Sequence, residues 1–339
     1  SAAAAGYTWE LPAGFPRPLV PADNPMTAEK VELGRRLFYD PRLSANGRQA
    51  CSSCHQQALA FSDGRARAVG ATGEAHPRSA MSLTNVAYNA SFTWTAPGLV
   101  SLERQLRVPL FSRRPVELGL AGAERRLEEE LRHDPVLRAR FARAFPGEPR
   151  ALRMANVEKA IAAFERTLIS GDSPYDRLLF RDEREALSPA AKRGMELFFS
   201  PRLACSRCHG GFNLSGPVVF AGSPRPEPVF HNTNLVGLRG GGRRHGERFR
   251  APTLRNVALT APYMHDGRLA TLGEVVDHYA AGGRPRPPHP DRSPLVTGFP
   301  LAPGERDALV AFLESLTDSG FLAAPRFGPP NEGAATARR

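Results

Sequence analysis

The sequence has few cysteines, few lysines and no long apolar run, and each shortage excludes a class of protein. Four cysteines in 339 residues are too few for a disulfide scaffold. No run of about 18 apolar residues occurs, which excludes a membrane-spanning helix of the usual kind. Only Lys30, Lys159 and Lys192 are lysines, so the remaining 42 of the 45 basic residues are arginine.

The formal net charge of +11 is carried by arginines that are scattered along the chain. No nucleic-acid-binding motif accompanies them, so a nucleic-acid partner is not expected. Two explanations of the excess stay open. It reflects the composition of the genome, or it serves to attract an acidic protein partner or anionic cofactor groups.

All four cysteines lie in two Cys-x-x-Cys-His motifs, at residues 51–55 and 205–209. This motif is typical of covalent c-type haem attachment. The two thiols add to the vinyl groups of the haem, and the adjacent histidine binds the iron. The sequence therefore predicts two covalent c-type haems, held by Cys51, Cys54, His55, Cys205, Cys208 and His209.

Two other uses of the cysteines compete with this prediction. Paired Cys-x-x-Cys knuckles also form four-thiolate zinc sites, and a single Cys-x-x-Cys can be redox-active. The two pairs here are 154 residues apart, and zinc does not require the histidine that follows each pair. The βαβ pattern of a thioredoxin-like motif is missing. Because c-type haem is attached outside the cytoplasm, the favoured dihaem interpretation implies a bacterial periplasmic location.

The two motifs occupy matching positions of an internal repeat. Residues 34–43 match residues 194–203, and a Cys-x-x-Cys-His follows each copy. Residues 158–168 resemble residues 306–316, and both have apolar residues at i, i+4 and i+8, as in a helix packed on a core. Each half is predicted to consist of a helix, a haem motif, a long irregular stretch and a closing helix.

The two halves are expected to join near residues 170–188. There Gly-Asp-Ser-Pro and Ser-Pro sequences end and restart helices. No stretch shows the alternation of a β-sheet. Long loops rich in Gly and Pro, at residues 210–228, 237–244 and 282–294, are expected to surround a ligand or a functional site.

Several further segments resemble the bacterial dihaem cytochrome c peroxidase family, including its MauG-like branch, over about residues 9–325. They are LTNVAYN (83–89), FTW (92–94), LERQ (102–105), PVELG (115–119), FHNT (230–233) and LRNVALTAPYMHDG (254–267). The resemblance implies a mainly α fold of two cytochrome c-like helical domains, each with one covalent haem and long loops between helices. The domains are expected at 7–178, with the peroxide-reactive haem, and at 179–327, with a tyrosine-ligated haem.

The resemblance also bears on the first haem. In the cytochrome c peroxidase branch, a loop histidine seven residues before the arginine of a Gly-Pro-Arg-Asn stretch caps this haem. Here that arginine matches Arg78, and the position seven residues earlier is Ala71. His76 lies nearby and is interpreted as a solvated loop histidine. The first haem, on His55, is therefore expected to be five-coordinate and open to peroxide without prior reduction.

A methionine about fourteen residues after the Tyr-x-His-Asp-Gly histidine binds the second haem in the peroxidase branch. The matching residue here is Tyr279. Leu272, Val275, Val276 and Tyr279 are spaced as one helix face, which predicts that Tyr279 is on the buried face and that His278 points elsewhere. The resemblance to the MauG-like branch implies that Tyr279 binds the iron and favours high oxidation states.

Peroxide cleavage requires a group that takes a proton from one oxygen and returns it to the other. Glu117 matches the distal glutamate of the family and Gln105 its accompanying glutamine. Relative to the usual family pattern, two extra residues within 112–114 separate Gln105 from Glu117.

Trp94 matches the aromatic residue that lies between the haems of the family and relays electrons.

Other positions match further family features. Asn85, Thr260 and Pro262 match an interdomain Ca²⁺ site, the last two through backbone carbonyls, and oxygen ligands suit this ion. His265 and His231 are expected to line the surroundings of the second haem without binding iron.

The expected function is that of a periplasmic dihaem enzyme that uses hydrogen peroxide to form a high-valent dihaem state. That state is expected to oxidise a residue of a partner protein, with tryptophan as the expected target, as in MauG-like enzymes including those of methanobactin operons. The first alternative is a cytochrome c peroxidase that takes electrons from a small redox-protein donor. The second is a dihaem electron carrier with no catalytic activity.

Overall fold

The computed structural model describes residues 6–235, 248–284 and 288–330, so residues 237–244 of a predicted loop lie outside the described residues. The described chain is mainly helical, as expected, and its β structure consists of isolated bridges. Its α-helices are α1 (Ala28–Phe38), α2 (Cys51–Cys54), α3 (Leu102–Gln105), α4 (Arg107–Phe111), α5 (Glu124–Arg132), α6 (Pro135–Ala144), α7 (Met154–Glu165), α8 (Pro174–Arg181), α9 (Pro189–Phe199), α10 (Leu272–Ala280), α11 (Glu305–Glu314) and α12 (Ser319–Ala323).

None of the helices in these ranges is both long enough and apolar enough to cross a membrane.

Helices begin and end where the sequence predicts. Ser173 and Ser188 cap α8 and α9, each accepting a hydrogen bond from a backbone N–H of the first turn, and a proline follows each cap. Helices α1 and α9 end shortly before Pro41 and Pro201, since proline cannot continue a helix.

The same helix crossing occurs in both halves of the chain. Helix α1 packs on α7, and α9 packs on α11. A Cβ added at Gly34 would lie 1.8 Å from the carbonyl oxygen of Ala160, and one added at Gly194 would lie 1.9 Å from that of Ala308. Because no side chain fits at such distances, glycine permits both close approaches. The internal repeat therefore extends to the backbone contact between helices.

Buried apolar side chains form two large clusters and a smaller third one. The first cluster includes residues of α1 and α5 to α7, and the second includes residues of α9 to α11. Tyr175 of α8 belongs to the second cluster, so the expected division between residues 178 and 179 falls inside a helix that packs on the second half. Phe321 and Phe327 pack in the first cluster. The C-terminal segment thus returns from the second half to the first.

Two asparagines in equivalent turns connect the halves. Asn85 and Asn256 both have left-handed backbone conformations, with φ of 55° and 60°. Their side-chain oxygens accept hydrogen bonds of 2.7 Å from the backbone N–H groups of Ser170 and Asp318, respectively. The Ser170 hydroxyl donates to Asp318 and accepts from the Asn256 amide. One buried polar network therefore serves both turns.

Candidate active site

The first Cys-x-x-Cys-His motif forms α2 and orients its histidine through a backbone carbonyl. His55 follows the helix, and its Nδ1 lies 2.9 Å from the carbonyl oxygen of Phe61. Since a carbonyl only accepts, Nδ1 is the donor. Burial lowers the pKa of His55. The imidazole is therefore neutral, with its proton on Nδ1 and a lone pair on Nε2, which is the form that binds iron.

The second motif repeats this arrangement with different local structure. Cys205–Arg207 is a short 3-10 helix, and His209 Nδ1 donates to the carbonyl oxygen of Pro252 at 3.0 Å. Burial, with a smaller contribution from nearby His231, lowers the pKa of His209 to about 4. His231 therefore lies close to the second motif, as expected. The orienting carbonyls of Phe61 and Pro252 were not predicted, because any residue type supplies the same oxygen.

The state of the cysteines fits covalent haem and does not fit a zinc site. All four are free of disulfide bonds. Burial raises the pKa of each thiol, to about 11 for Cys54 and Cys205, so the thiols are protonated in the absence of a bound group. Among the described residues no group of three or more His, Cys, Asp or Glu side chains is arranged to hold a metal ion. The donor set present is thus two separate thiol pairs, each with one oriented histidine.

Helix α10 places Tyr279 beside the second motif. Burial raises the pKa of Tyr279, and the thiols of Cys208 and Cys205 are close enough to raise it further. His278 points elsewhere, as expected, because its Nε2 lies 3.0 Å from the carbonyl oxygen of Thr233. The prediction that Tyr279 is on the buried face of the helix needs correction. His278 is buried, whereas Tyr279 is only partly buried. Ligation of iron by Tyr279 stays a prediction.

Glu117 lies on the irregular segment between α4 and α5. Its neighbours Val116 and Gly119 line a cleft of about 590 Å³, which exposed Arg113 and Arg114 also border. Although 36% of the Glu117 side chain is exposed, loss of hydration raises its pKa to about 7. This carboxyl group can therefore take up or release a proton near neutral pH.

His76 is not the solvated loop histidine that the sequence predicts. Its side chain is 14% exposed, and its Nε2 lies 3.9 Å from Oε1 of Glu117. That nitrogen is buried without a hydrogen-bond partner among the described residues. The sequence-based interpretation was wrong because residues 68–76 fold back as a narrow hairpin onto the segment that carries Glu117.

Gln105 is the last residue of α3 and is partly buried. Its backbone N–H donates to Ser101 at 3.0 Å. In the part of the chain that the structure describes, no hydrogen bond joins the Gln105 side chain to Glu117. The same short helix carries Glu103, which forms a buried ion pair with Arg166 at 2.7 Å. This pair anchors α3 to the end of α7.

Trp94 lies where the two halves meet. Its Nε1 donates to the carbonyl oxygen of Ser79 at 3.1 Å, and its ring meets Phe249 edge-on with centroids 6.3 Å apart. Phe249 in turn stacks on His265 at 3.8 Å. A continuous aromatic contact therefore runs from Trp94 in the first half to His265 in the second.

Of the three residues predicted to bind calcium, Asn85 lies in the polar network at the junction. The Asn85 amide donates to the Ser170 carbonyl and to Asn213, and its oxygen accepts from the Ser170 N–H. An amide oxygen has two lone pairs, so one remains for a further partner. Pro262 follows the cis Ala261–Pro262 peptide bond, and Thr260 is the residue before Ala261. Calcium binding stays a prediction.

Comparison with known proteins identifies the family. The family model of the di-haem cytochrome c peroxidases matches residues 28–184. The chain is 35% identical to the methylamine utilization protein MauG of Methylorubrum extorquens, over 87% of this chain and 80% of that protein. It is 38% identical to the cytochrome-c peroxidase IdrP1 of Denitromonas iodatirespirans, over 94% and 89% respectively. A solved structure of a MauG-like protein associated with microbial copper homeostasis is 42% identical, with a TM-score of 0.90, and covers 96% of this chain and 99% of that one.

The helical fold and the two Cys-x-x-Cys-His motifs, each with an oriented histidine, are those of a haem peroxidase-type oxidoreductase. The chain belongs to the di-haem cytochrome c peroxidase family. The expectation of an enzyme is thereby confirmed, and the alternative of a non-catalytic carrier loses its support. Membership implies two c-type haems.

Proposed function

We propose that this protein is a periplasmic dihaem enzyme that uses hydrogen peroxide to oxidise a residue of a partner protein, with tryptophan as the target. The observation that carries the proposal is the position of Tyr279 beside Cys205 and Cys208. Similarity to a MauG-like protein associated with microbial copper homeostasis supports the same branch.

Two helical units would hold the haems, one on residues 51–55 and one on residues 205–209. When bound, each haem supplies an iron centre that exchanges electrons with peroxide and with the protein. The unit boundary is best placed before α8, because Tyr175 packs in the second cluster. The C-terminal segment from Phe321 to Phe327 belongs to the first unit by packing, although it follows the second in sequence.

Side chains of the protein are proposed to supply proton transfer, hydrogen bonding and a route for electrons. Glu117 accepts a proton from one peroxide oxygen and returns it to the other, which its pKa of about 7 permits. Gln105 donates its amide N–H groups to the bound oxygen atoms. Trp94 and its aromatic neighbours provide the route by which electrons cross between the halves. Reduction of each peroxide to two waters consumes two electrons and two protons, and the partner's side chain supplies the electrons. Where that side chain gains an oxygen atom, a water molecule supplies the oxygen and releases two protons, so the net products are the oxygenated side chain and one water.

Asn85, Thr260 and Pro262 are proposed to hold one Ca²⁺ at the junction. Asn85 is fully buried and has one lone pair left on its oxygen, while the other two residues would contribute backbone carbonyls. The ion would stiffen the contact between the halves.

A second candidate function is reduction of peroxide with electrons from a small redox protein. The 38% identity to cytochrome-c peroxidase IdrP1 favours it. In that case the donor would be regenerated and no protein would be chemically altered.

Capture of a partner distinguishes the two functions. The haem-loaded protein is used to capture binding proteins from its own periplasm, and each is treated with peroxide in its presence and analysed by mass spectrometry. Oxygen insertion into a tryptophan, absent with Glu117→Gln, supports the proposal. Rapid oxidation of a small redox protein that stays chemically unaltered supports the second function instead.

A further inference from the structure

A narrow hairpin fixes His76 next to Glu117. Residues 68–76 form it, with the His76 N–H donating to Ala68 at 2.6 Å and a bridge between Val69 and Ala75. At its tip, the Ala71 N–H donates to the carbonyl oxygen of Glu117 at 2.6 Å. The hairpin is thus bonded to the backbone of the residue whose side chain His76 faces.

Gly70 makes this contact possible. A Cβ at this position would lie 1.9 Å from the carbonyl oxygen of Val116, so only glycine allows the hairpin to lie so close to the Glu117 segment. Asn46 and Gln49 reinforce the hairpin by donating to the carbonyls of Ala71 and Val69. The relative position of His76 and Glu117 is therefore set by backbone contacts and does not depend on the two side chains themselves.

The His76 ring nitrogen faces a carboxyl group and has no other polar partner in the described ranges. The 3.9 Å between Nε2 and Oε1 is an ion-pair distance and exceeds a direct hydrogen bond, so proton exchange requires the two side chains to approach each other. Burial raises the pKa of Glu117 to about 7 and lowers that of His76, so the imidazole no longer holds a proton more tightly than the carboxyl group does. The remaining charged side chains of these two segments, Glu74, Arg113 and Arg114, are exposed. From α2, the Cys51 and Cys54 sulfurs face Glu117, and they are uncharged as thiols or thioethers.

We propose that His76 is a positioning residue that shares one proton with resting Glu117, so that the glutamate is in its basic form when peroxide arrives. In the exchange, the O–H bond of Glu117 breaks and an N–H bond forms at Nε2 of His76. The products are a carboxylate and an imidazolium, and no electrons move. The assignment rests on the proposed function, because it gives Glu117 its role toward peroxide.

The test compares the haem-loaded wild type with His76→Gln, His76→Phe and Glu117→Gln. Infrared difference titration follows the Glu117 carboxyl stretch, which is assigned by its loss in Glu117→Gln. We expect removal of His76 to raise the midpoint of this titration by about one pH unit, since a cationic partner for the carboxylate is lost. This readout needs no peroxide, so it decides the pairing even if the proposed function fails.

Kinetics provide the second readout. We expect the rate of the peroxide reaction in His76→Gln to fall about 100-fold, with the acid limb of its pH profile moved upward. In the Glu117→Gln background the same substitution should add no further loss, because His76 acts only through Glu117. His133→Gln, at an exposed histidine of the same half, is the matched control and should match the wild type.

Folding and ligation are checked on the same samples. His76→Phe keeps a ring in the buried position, and its circular dichroism and haem content show whether the fold is intact. An unchanged carboxyl midpoint in folded His76→Gln and His76→Phe overturns the proposal. So does conversion of the first haem from low to high spin on removal of His76, since that would make His76 an iron ligand.

Discussion

At the residue scale, the two motif histidines owe their orientation to backbone carbonyls. Phe61 and Pro252 each accept a hydrogen bond from Nδ1, which leaves Nε2 for a metal. A backbone acceptor cannot be removed by a side-chain substitution. The orientation of His55 and His209 is therefore robust to mutation at the accepting positions.

Tyr279 is the residue on which assignment to the MauG-like branch depends most. We expect Tyr279→Phe to change the near-infrared and electron paramagnetic resonance signals of the second haem, because the axial ligand sets the electronic structure of the iron. Tyr7→Phe, at the N-terminal segment, is the control and should leave both spectra unchanged. If Tyr279→Phe also leaves them unchanged, tyrosine is not a ligand.

The buried ion pair between Arg255 and Asp176 is a second residue-scale test. The two groups are 2.7 Å apart, and their side chains are 1% and 3% exposed. Arg255→Met leaves the buried carboxylate without its partner, so we expect a loss of about 3–5 kcal/mol in the free energy of unfolding. Arg184→Ala, which breaks an exposed pair with Asp182, should change it by less than about 1 kcal/mol. Denaturant unfolding of the haem-loaded proteins measures both, and equal effects would contradict this account.

The sequence predicts the residues of the site better than it predicts their surroundings. The Cys-x-x-Cys-His motifs specify the haem attachments because the chemistry requires those residue types at that spacing. The burial of His76 was missed, since it depends on a hairpin that packs against a segment some 40 residues away in sequence. The network of Asn256, Ser170 and Asp318 was missed for the same reason.

At the element scale, the repeat is expressed as two glycine-dependent helix crossings. Gly34 and Gly194 both bring a helix against the backbone of its partner. The periodicity of residues 158–168 and 306–316 was sufficient to predict the closing helices α7 and α11. The close contact was not predictable, because a glycine inside a helical pattern has several explanations.

Substitution of Gly194 tests the crossing. In Gly194→Ala the added Cβ would lie 1.9 Å from the Ala308 oxygen, which forces α9 away from α11. We expect a loss of about 1–3 kcal/mol in the free energy of unfolding, as for other overpacked sites. Gly98→Ala is the control, since no atom lies within 4 Å of the added Cβ. A Gly194→Ala protein as stable as the control would show that the crossing is looser than described.

At the scale of the whole molecule, the position of a segment along the chain does not always predict the half against which it packs. Helix α8 follows the first closing helix but packs on the second half, and Phe321 and Phe327 return to the first. Composition and helical periodicity do not reveal which cluster receives a short terminal helix. The expected limits of 178 and 327 follow the motif repeat, whereas Tyr175, Phe321 and Phe327 each pack in the cluster on the other side of the expected division.

The net charge of +11 also acts at this scale. Propionates of two haems would offset part of it, and we propose that the rest attracts an acidic partner. We expect the rate of reaction with a protein partner to fall as salt is raised past about 0.15 M, where the screening length is about 8 Å. The rate with an uncharged small-molecule reductant should stay constant. A protein reaction that is insensitive to salt would contradict electrostatic attraction.

The central claim is that the oxidised dihaem protein reacts with peroxide as it stands, because the position of the capping histidine is taken by Ala71 and the second motif has Tyr279 beside it. The most direct measurement adds hydrogen peroxide to the fully oxidised protein and records the Soret and near-infrared absorption by stopped flow. We predict an immediate change in both regions, which is lost in Glu117→Gln with both haems retained. Spectra that change only after a reductant has been added would contradict the claim.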